Sequence, residues 1–233
     1  MKTIGMLGGM SWESTTSYYQ ALNRGVKSAL GGLHCAKIAM VSVDFAEIEK
    51  LQHEDNWDET AVILSEAAKS VEAAGADFLL ICTNTMHKVA DQIEEAIDIP
   101  ILHIADATAE ALKEKEIKRV GLLGTKFTME QAFYKGRISK NHGIDVVVPV
   151  EAQQEWVHEI IYNELCQGII KEDSRDLFLA IIDDLHEEGC EAVILGCTEI
   201  ALLVSQEDTE VALFDTAQIH CDMAVKLALG AGS

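Results

Sequence analysis

The sequence of 233 residues predicts an α/β fold made of two similar small domains. Each domain is expected to hold a central parallel sheet flanked by helices, and a pseudo-two-fold axis is expected to relate the two. Two observations predict this class. Short apolar runs of strand length alternate with longer segments of helical periodicity, the pattern of a parallel sheet covered by helices. The chain also repeats itself in order, which indicates an internal duplication.

The repeat has three ordered parts. The strand-like segment 2–8 matches segment 118–124 at an offset of 116 residues, and Cys82 matches Cys197 at an offset of 115. Segments 102–106 and 211–215 form a weaker pair, because both are strand-like and both end at Asp. The predicted domains are therefore residues 1–104 with 215–233, which include a crossing C-terminal helix, and residues 105–214.

The first half is divided by caps and glycines. Ser11 is a typical helix N-cap, Gly31 and Gly75 are typical helix stops, and Pro100 introduces a strand. Residues 45–57 are polar and mixed, which predicts a loop. The pattern predicts strands over 3–7, 36–43, 77–82 and 101–104, and helices over 11–30, 58–75, 85–97 and from 106 onward.

The second half repeats the plan. Thr128 and Gln131 indicate a capping box for a helix that runs to about residue 140. The pattern predicts strands over 119–123, 144–148, 191–197 and 211–214, helices over 151–166 and 174–188, a short helix after Cys197, and a last helix to about residue 229.

Composition and charge exclude several classes of function. The formal net charge of −21 disfavours nucleic-acid partners and anionic membranes. No apolar run reaches the ~18 residues of a transmembrane helix, and the first residues show no signal-peptide pattern. We therefore expect a cytoplasmic protein, where thiols stay reduced. The six cysteines include no Cys-x-x-Cys pair, which argues against a zinc or redox motif, and no metal ligand is expected.

Two cysteines follow apolar strands directly and precede hydroxyl residues. Cys82 and Cys197 are each followed by Thr. Ligands of parallel sheets bind beyond the carboxyl ends of the strands, where Thr125 also falls. A cysteine at a helix N-terminus is expected to have a lowered pKa. Two such thiols facing each other across a cleft could remove a proton from one face of an α-carbon and return it to the other, which is racemisation.

Three other side chains near these strands have two interpretations each. Glu199 could bind a substrate ammonium or tune Cys197, or it could be an ordinary carboxylate at a helix N-terminus. His87 and His103 could orient a thiol or a ligand, or they could be structural histidines of the core.

The motifs at these residues resemble those of the aspartate/glutamate racemase superfamily. Segments 82–85 (CTNT) and 196–200 (GCTEI) are similar to its two cysteine motifs. Segment 5–15 (GMLGGMSWEST) is similar to the aspartate-racemase branch, and the whole chain most resembles the enterobacterial broad-specificity amino-acid racemases.

The resemblance implies a racemase that works without pyridoxal phosphate or any other cofactor, with Cys82 and Cys197 as the two catalytic thiols. It also implies a small-molecule amino-acid substrate and a homodimer. Glu199 fits the aspartate branch. The implied substrate contacts are Met10, Ser11, Gln52, Thr83, Asn84, Thr85 and Thr198.

One departure concerns specificity. Strict aspartate racemases resemble one another in having an Arg after the second strand, which binds the side-chain carboxylate of the substrate. Segment 44–52 has no Arg here, and its one Lys is Lys50. This predicts broad or non-aspartate specificity. Two alternatives stay open. The first is an isomerase or decarboxylase of another α-carboxylate, although retention of both cysteines argues against the decarboxylase. The second is an amino-acid-binding protein with inert cysteines.

Overall fold

The computed structural model describes residues 1–230. The chain divides into two compact units, of which the first comprises Met1–Ile104 and the chain from His220 onward, and the second comprises Ala105–Ile219. The predicted division at residue 215 is corrected, because Thr216 packs in the second unit, where its hydroxyl donates to the Leu195 carbonyl at 2.9 Å.

The first unit contains a three-stranded parallel sheet with strand order β2-β1-β3. Its central strand β1 is buried over its whole length, so helices cover both faces of the sheet. Its elements are β1 (Ile4–Gly8), α1 (Trp12–Leu30), β2 (Ile38–Ser42), α2 (Phe45–His53), α3 (Trp57–Ala73), β3 (Phe78–Ile81), a 3₁₀ helix over Thr85–Val89, and α4 (Ala90–Glu94).

The second unit contains a four-stranded parallel sheet with strand order β5-β4-β6-β7. The amide of Gln206 covers part of the β7 edge, because it accepts the Leu213 N–H and donates to the Val211 carbonyl. Its elements are α5 (Ile104–Glu114), β4 (Arg119–Leu123), α6 (Lys126–Glu130), α7 (Ala132–His142), β5 (Asp145–Val147), α8 (Glu151–Asn163), α9 (Glu172–Glu187), β6 (Ala192–Leu195) and β7 (Ala212–Asp215), with 3₁₀ helices over Leu165–Gln167, Ile200–Leu202 and Gln206–Asp208. The last helix, α10 (Thr216–Leu229), begins in this unit and belongs to the first unit from His220 onward.

These sheets confirm the predicted α/β class with one parallel sheet in each half. Four local predictions were wrong. Within segment 45–57, Phe45–His53 forms α2, because Asp44 caps it and its Ile48 and Gln52 are buried. The strand over 101–104 is a single bridge at Ile101, and the helix over 85–97 is split. In the second unit Thr125, not Thr128, caps α6.

A buried histidine connects α10 to the core of the first unit. His220 Nε2 donates to the Leu102 carbonyl at 2.7 Å, so its Nδ1 is left to accept the Tyr18 hydroxyl at 2.9 Å. Burial lowers the pKa of His220 to about 4, although the Leu102 bond acts in the opposite sense. The ring is therefore neutral at neutral pH.

We predict that this histidine makes the protein less stable in acid. Its pKa in the folded chain lies below the ordinary value of 6.5, so the unfolded chain binds the proton more readily, and stability falls as the pH drops from about 6.5 towards 4. His220→Gln keeps a donor for Leu102 but cannot ionise. Between about pH 7.5 and about pH 4.5, denaturant unfolding should show the wild-type chain losing about 2 to 3 kcal/mol more than this variant. Equal losses would contradict the assignment.

Candidate active site

Cys82 lies where the ladder between β1 and β3 stops. Its N–H donates to the Leu7 carbonyl at 2.9 Å, which continues the pairing of Leu7 with Ile81. Its side chain is fully buried, and the thiol has one long contact, 3.9 Å, to the Leu80 carbonyl. Burial raises the pKa of Cys82 far above its ordinary value, so the thiol is protonated at neutral pH.

The turn between β1 and α1 lies against this strand end. Ser11 caps α1 by accepting the Ser14 N–H at 3.2 Å, and the Ser14 hydroxyl donates to the Cys82 carbonyl at 3.2 Å. Thr15 accepts the Gly9 N–H and donates to the Ser11 carbonyl, both at 2.8 Å. A Cβ at position 8 would lie 2.5 Å from Thr15, so only glycine fits at Gly8. Predicted residues Met10 and Ser11 are buried in this turn.

The loop after Cys82 is held by a histidine. His87 Nε2 accepts the Ile104 N–H at 3.3 Å, so Nδ1 carries the ring proton and donates to the Thr83 carbonyl at 2.8 Å. Of the two interpretations of His87, the structure therefore favours a structural histidine. Predicted residues Asn84 and Thr85 are buried in the same loop, whereas Thr83 is half-buried.

Helix α2 brings another predicted residue to this loop. Gln52 is buried, and its amide nitrogen lies 3.9 Å from the Met86 sulfur. The two lysines of this region are engaged elsewhere. Lys50 is 71% exposed and lies 3.8 Å from Glu54, and Lys88 lies 3.7 Å above the Trp57 ring.

Cys197 in the second unit is held through its side chain. It is 9% exposed, and its thiol donates to Glu199 Oε2 at 3.0 Å, which also accepts the Thr198 hydroxyl at 2.8 Å. Burial raises the pKa of Cys197 well above its ordinary value, and the Glu199 charge raises it further, whereas the Glu199 N–H acts in the opposite sense. Glu199 is therefore a partner of Cys197 in this structure.

Thr125 is the remaining predicted residue of the second unit. It is buried and caps α6, with its hydroxyl accepting the Thr128 N–H. Its neighbour Gly124 adjoins the turn before Cys197, because a Cβ at position 124 would lie 3.0 Å from the Gly196 carbonyl oxygen.

Two expectations about the cysteines are corrected. The predicted lowering of their pKa is wrong, because both thiols are buried and only 3₁₀ turns follow them, starting at Thr85 and Ile200. Their positions are also not equivalent. Leu123 pairs with Leu195, and Gly196 donates to Leu123 as Cys82 does to Leu7, so Cys197 lies one residue beyond the position of Cys82.

The sequence patterns did not indicate Ser14 and Thr15 as site residues. Their hydroxyls directly follow the Ser11 cap, and adjacent hydroxyls in a first helical turn are a signal that could have indicated a link to the neighbouring strand end. Within residues 1–230, no group of three or more His, Cys, Asp or Glu side chains is arranged to hold a metal ion, and no helix is long and apolar enough to span a membrane.

Comparison with known proteins identifies the family. The model of the Asp/Glu/hydantoin racemase family matches residues 7–224. The chain belongs to this family. It is accordingly an isomerase of the amino-acid racemase class, as the resemblance of the cysteine motifs implied.

Three relatives of this racemase-family chain are similar over nearly their whole length. The broad-specificity amino-acid racemase RacX of Bacillus subtilis (strain 168) is 25% identical over 224 residues, which cover 92% of each protein. A solved structure from Yersinia pestis, described as a candidate Asp/Glu racemase, is 53% identical with a TM-score of 0.92, covering 98% of this chain and 100% of the other. An aspartate racemase homologue from Pyrococcus horikoshii OT3 is 35% identical with a TM-score of 0.85 and the same coverage.

We predict that Glu199→Gln lowers the pKa of Cys197. Glutamine can still accept a hydrogen bond from the thiol, but it removes the negative charge that disfavours the thiolate. Alkylation by iodoacetamide, mapped by mass spectrometry at about pH 8, should label Cys197 faster in the variant, by about threefold for each unit by which the pKa falls, because the thiolate fraction rises but a less basic thiolate is a weaker nucleophile. The exposed Cys35 serves as the internal control and should be labelled at one rate in both proteins. Unchanged labelling of Cys197 would show that the Glu199 charge does not govern this thiol.

Proposed function

We propose that the protein is a cofactor-independent amino-acid racemase that uses Cys82 and Cys197 as its two bases. The observation that carries the proposal is that a buried thiol follows a strand in each parallel sheet, and that the Cys197 thiol donates a hydrogen bond to the Glu199 carboxylate. In this proposal the two sulfurs flank the α-carbon of one bound amino acid. A thiolate removes the α-proton, the opposite thiol protonates the other face, and the roles reverse in the return direction.

The raised pKa values suit a resting state in which both sulfurs are protonated. One of them must lose its proton before it can act as a base. For Cys197 the adjacent acceptor is Glu199, at 3.0 Å, so a thiol–carboxylate pair can pass the proton without exposing the site to water. For Cys82 no carboxylate contacts the sulfur among the described hydrogen bonds, so its deprotonation is assigned to the substrate-bound state.

Substrate binding is assigned to the predicted contacts. In the first unit these are Met10, Ser11, Gln52, Thr83, Asn84 and Thr85, and in the second they are Thr125, Thr198 and Glu199. The main-chain N–H groups after the strand ends are suited to hold an α-carboxylate. The placement of Ser11, Met10 and Gln52 around the Cys82 loop supports the first set.

We infer broad specificity, not strict specificity for aspartate. The buried side chains of α2 are Ile48 and Gln52, neither of which is a cation, whereas Lys50 is exposed beside Glu54 and Lys88 lies above the Trp57 ring. The similarity to a broad-specificity racemase supports the same inference. The expected homodimer and cytoplasmic location stay predictions.

The experiment that tests the function is α-proton exchange in heavy water. We expect the wild-type protein to convert one enantiomer of an amino acid into the other and to incorporate deuterium at Cα. The panel comprises alanine, asparagine, aspartate, glutamine, glutamate and methionine, followed by mass spectrometry and optical rotation. Binding without exchange would leave the amino-acid-binding alternative, and loss of CO₂ from an α-carboxylate would indicate the decarboxylase alternative.

Replacing either cysteine should slow racemisation severely. We predict that Cys82→Ser and Cys197→Ser each lower the rate by at least about 10²-fold, since a serine hydroxyl is a far weaker acid than a thiol and is hardly ionised near neutral pH, so it cannot supply the anionic base. Each variant should keep slow α-proton exchange with one enantiomer, and the two variants should differ in which enantiomer exchanges. The control is Cys35→Ser, an exposed thiol that should leave the rate unchanged. A parent rate in either active-site variant would rule out the two-base assignment.

Specificity is tested with isosteric pairs of substrates. Asparagine and aspartate differ in charge but hardly in shape, as do glutamine and glutamate. Because α2 presents no buried cation, and the chain carries a net charge of −21, we predict that kcat/KM is at least as high for the amide as for the acid in each pair. Preference for aspartate over asparagine by tenfold or more would show that another cation binds the side-chain carboxylate.

A further inference from the structure

Two adjacent hydroxyls replace a missing rung of the ladder between β1 and β3. In a parallel pair, with Leu7 opposite Ile81, the next rung would join the Gly9 N–H to the Cys82 carbonyl. That rung does not form, because the Gly9 N–H donates instead to the Thr15 hydroxyl at 2.8 Å. The Cys82 carbonyl instead accepts the Ser14 hydroxyl at 3.2 Å.

Cys82 is therefore fixed from both sides of its main chain. Its N–H is held by Leu7 of β1, and its carbonyl is held by Ser14 of α1. The thiol itself has only a long contact to Leu80, so the position of the sulfur depends on these two main-chain bonds. Leu7 holds Cys82 through its main-chain carbonyl, whereas Ser14 holds it through a side-chain hydroxyl. The Ser14 side chain is buried.

We propose that Ser14 is a positioning residue for Cys82. It ties the strand end that carries the thiol to the turn that carries Met10 and Ser11, because the Ser14 N–H also donates to the Ser11 hydroxyl. Cys197 is positioned differently, through its side chain and Glu199, so Ser14 serves one thiol of the pair. This inference rests on the proposed racemase function.

The test compares three variants. Ser14→Ala removes the donor to Cys82, and Ser14→Thr restores a hydroxyl at the same position. The matched control is Ser17→Ala, on the same helix, whose exposed hydroxyl bonds only to the Glu13 carbonyl of its own helix at 3.3 Å. Thermal unfolding by circular dichroism is measured for each variant, so that assays are run well below the melting temperature.

We expect Ser14→Ala to lower kcat/KM by about tenfold, since a misplaced catalytic group can cost up to about 100-fold. The loss must be equal in both directions, because the two enantiomers have the same free energy. We expect Ser14→Thr to recover most of the rate and Ser17→Ala to match the wild type.

The decisive readout is the isotope effect of a deuterium at Cα, measured with each enantiomer of the amino acid that the wild type racemises fastest in the panel. When Cys82 alone is misplaced, its proton transfers become slower than those of Cys197. We therefore expect the isotope effect on kcat/KM to rise for the enantiomer that Cys82 deprotonates and to fall for its mirror image. A general loss of active protein would leave both values unchanged.

Unchanged isotope effects in Ser14→Ala, or a rate equal to that of Ser17→Ala, would overturn the positioning role while the racemase proposal stands. A wild-type protein that exchanges no α-proton would overturn the proposed function, and this inference with it.

Discussion

The position of Cys82 depends on how the parallel ladder ends. At the carboxyl ends of the strands in a parallel sheet, the last main-chain N–H and carbonyl groups have no strand partner. Where these ends are buried, the groups need other hydrogen-bond partners. In the first unit the Ser14 and Thr15 hydroxyls are these partners, and Thr15 can approach because Gly8 has no side chain. The same bonds that satisfy the edge hold the thiol-bearing residue, so folding and site geometry share one set of contacts.

The second unit meets the same requirement with a different device. Gly196 takes the position in the ladder that Cys82 has in the first sheet, and Cys197 follows one residue later. Glu199 then holds the thiol directly. Burial raises the pKa of both thiols, but only Cys197 has a carboxylate against its sulfur. In the proposed mechanism each thiol deprotonates one of the two enantiomers, so the two thiols can have different neighbours.

The fold could be predicted from sequence because apolar strands and amphipathic helices are long and regular here, as with β4, whose bounds match the prediction. Segment 45–57 was misassigned because only two residues of α2, Ile48 and Gln52, are buried, which leaves little periodicity. The cysteines and Glu199 could be proposed as site residues from their motifs. The pKa of the thiols and the role of Ser14 could not, because burial and a bond between residues 68 positions apart depend on the tertiary structure.

The proposed mechanism has two different thiols that move the α-proton on opposite faces of one amino acid. It is tested most directly by incubating a single enantiomer in heavy water, stopping early, and measuring deuterium separately in the product and in the remaining substrate. The two-thiol account predicts product that carries deuterium at Cα and remaining substrate that still carries its original proton. Product that retains the original proton would show that a single base serves both faces, which would contradict the account.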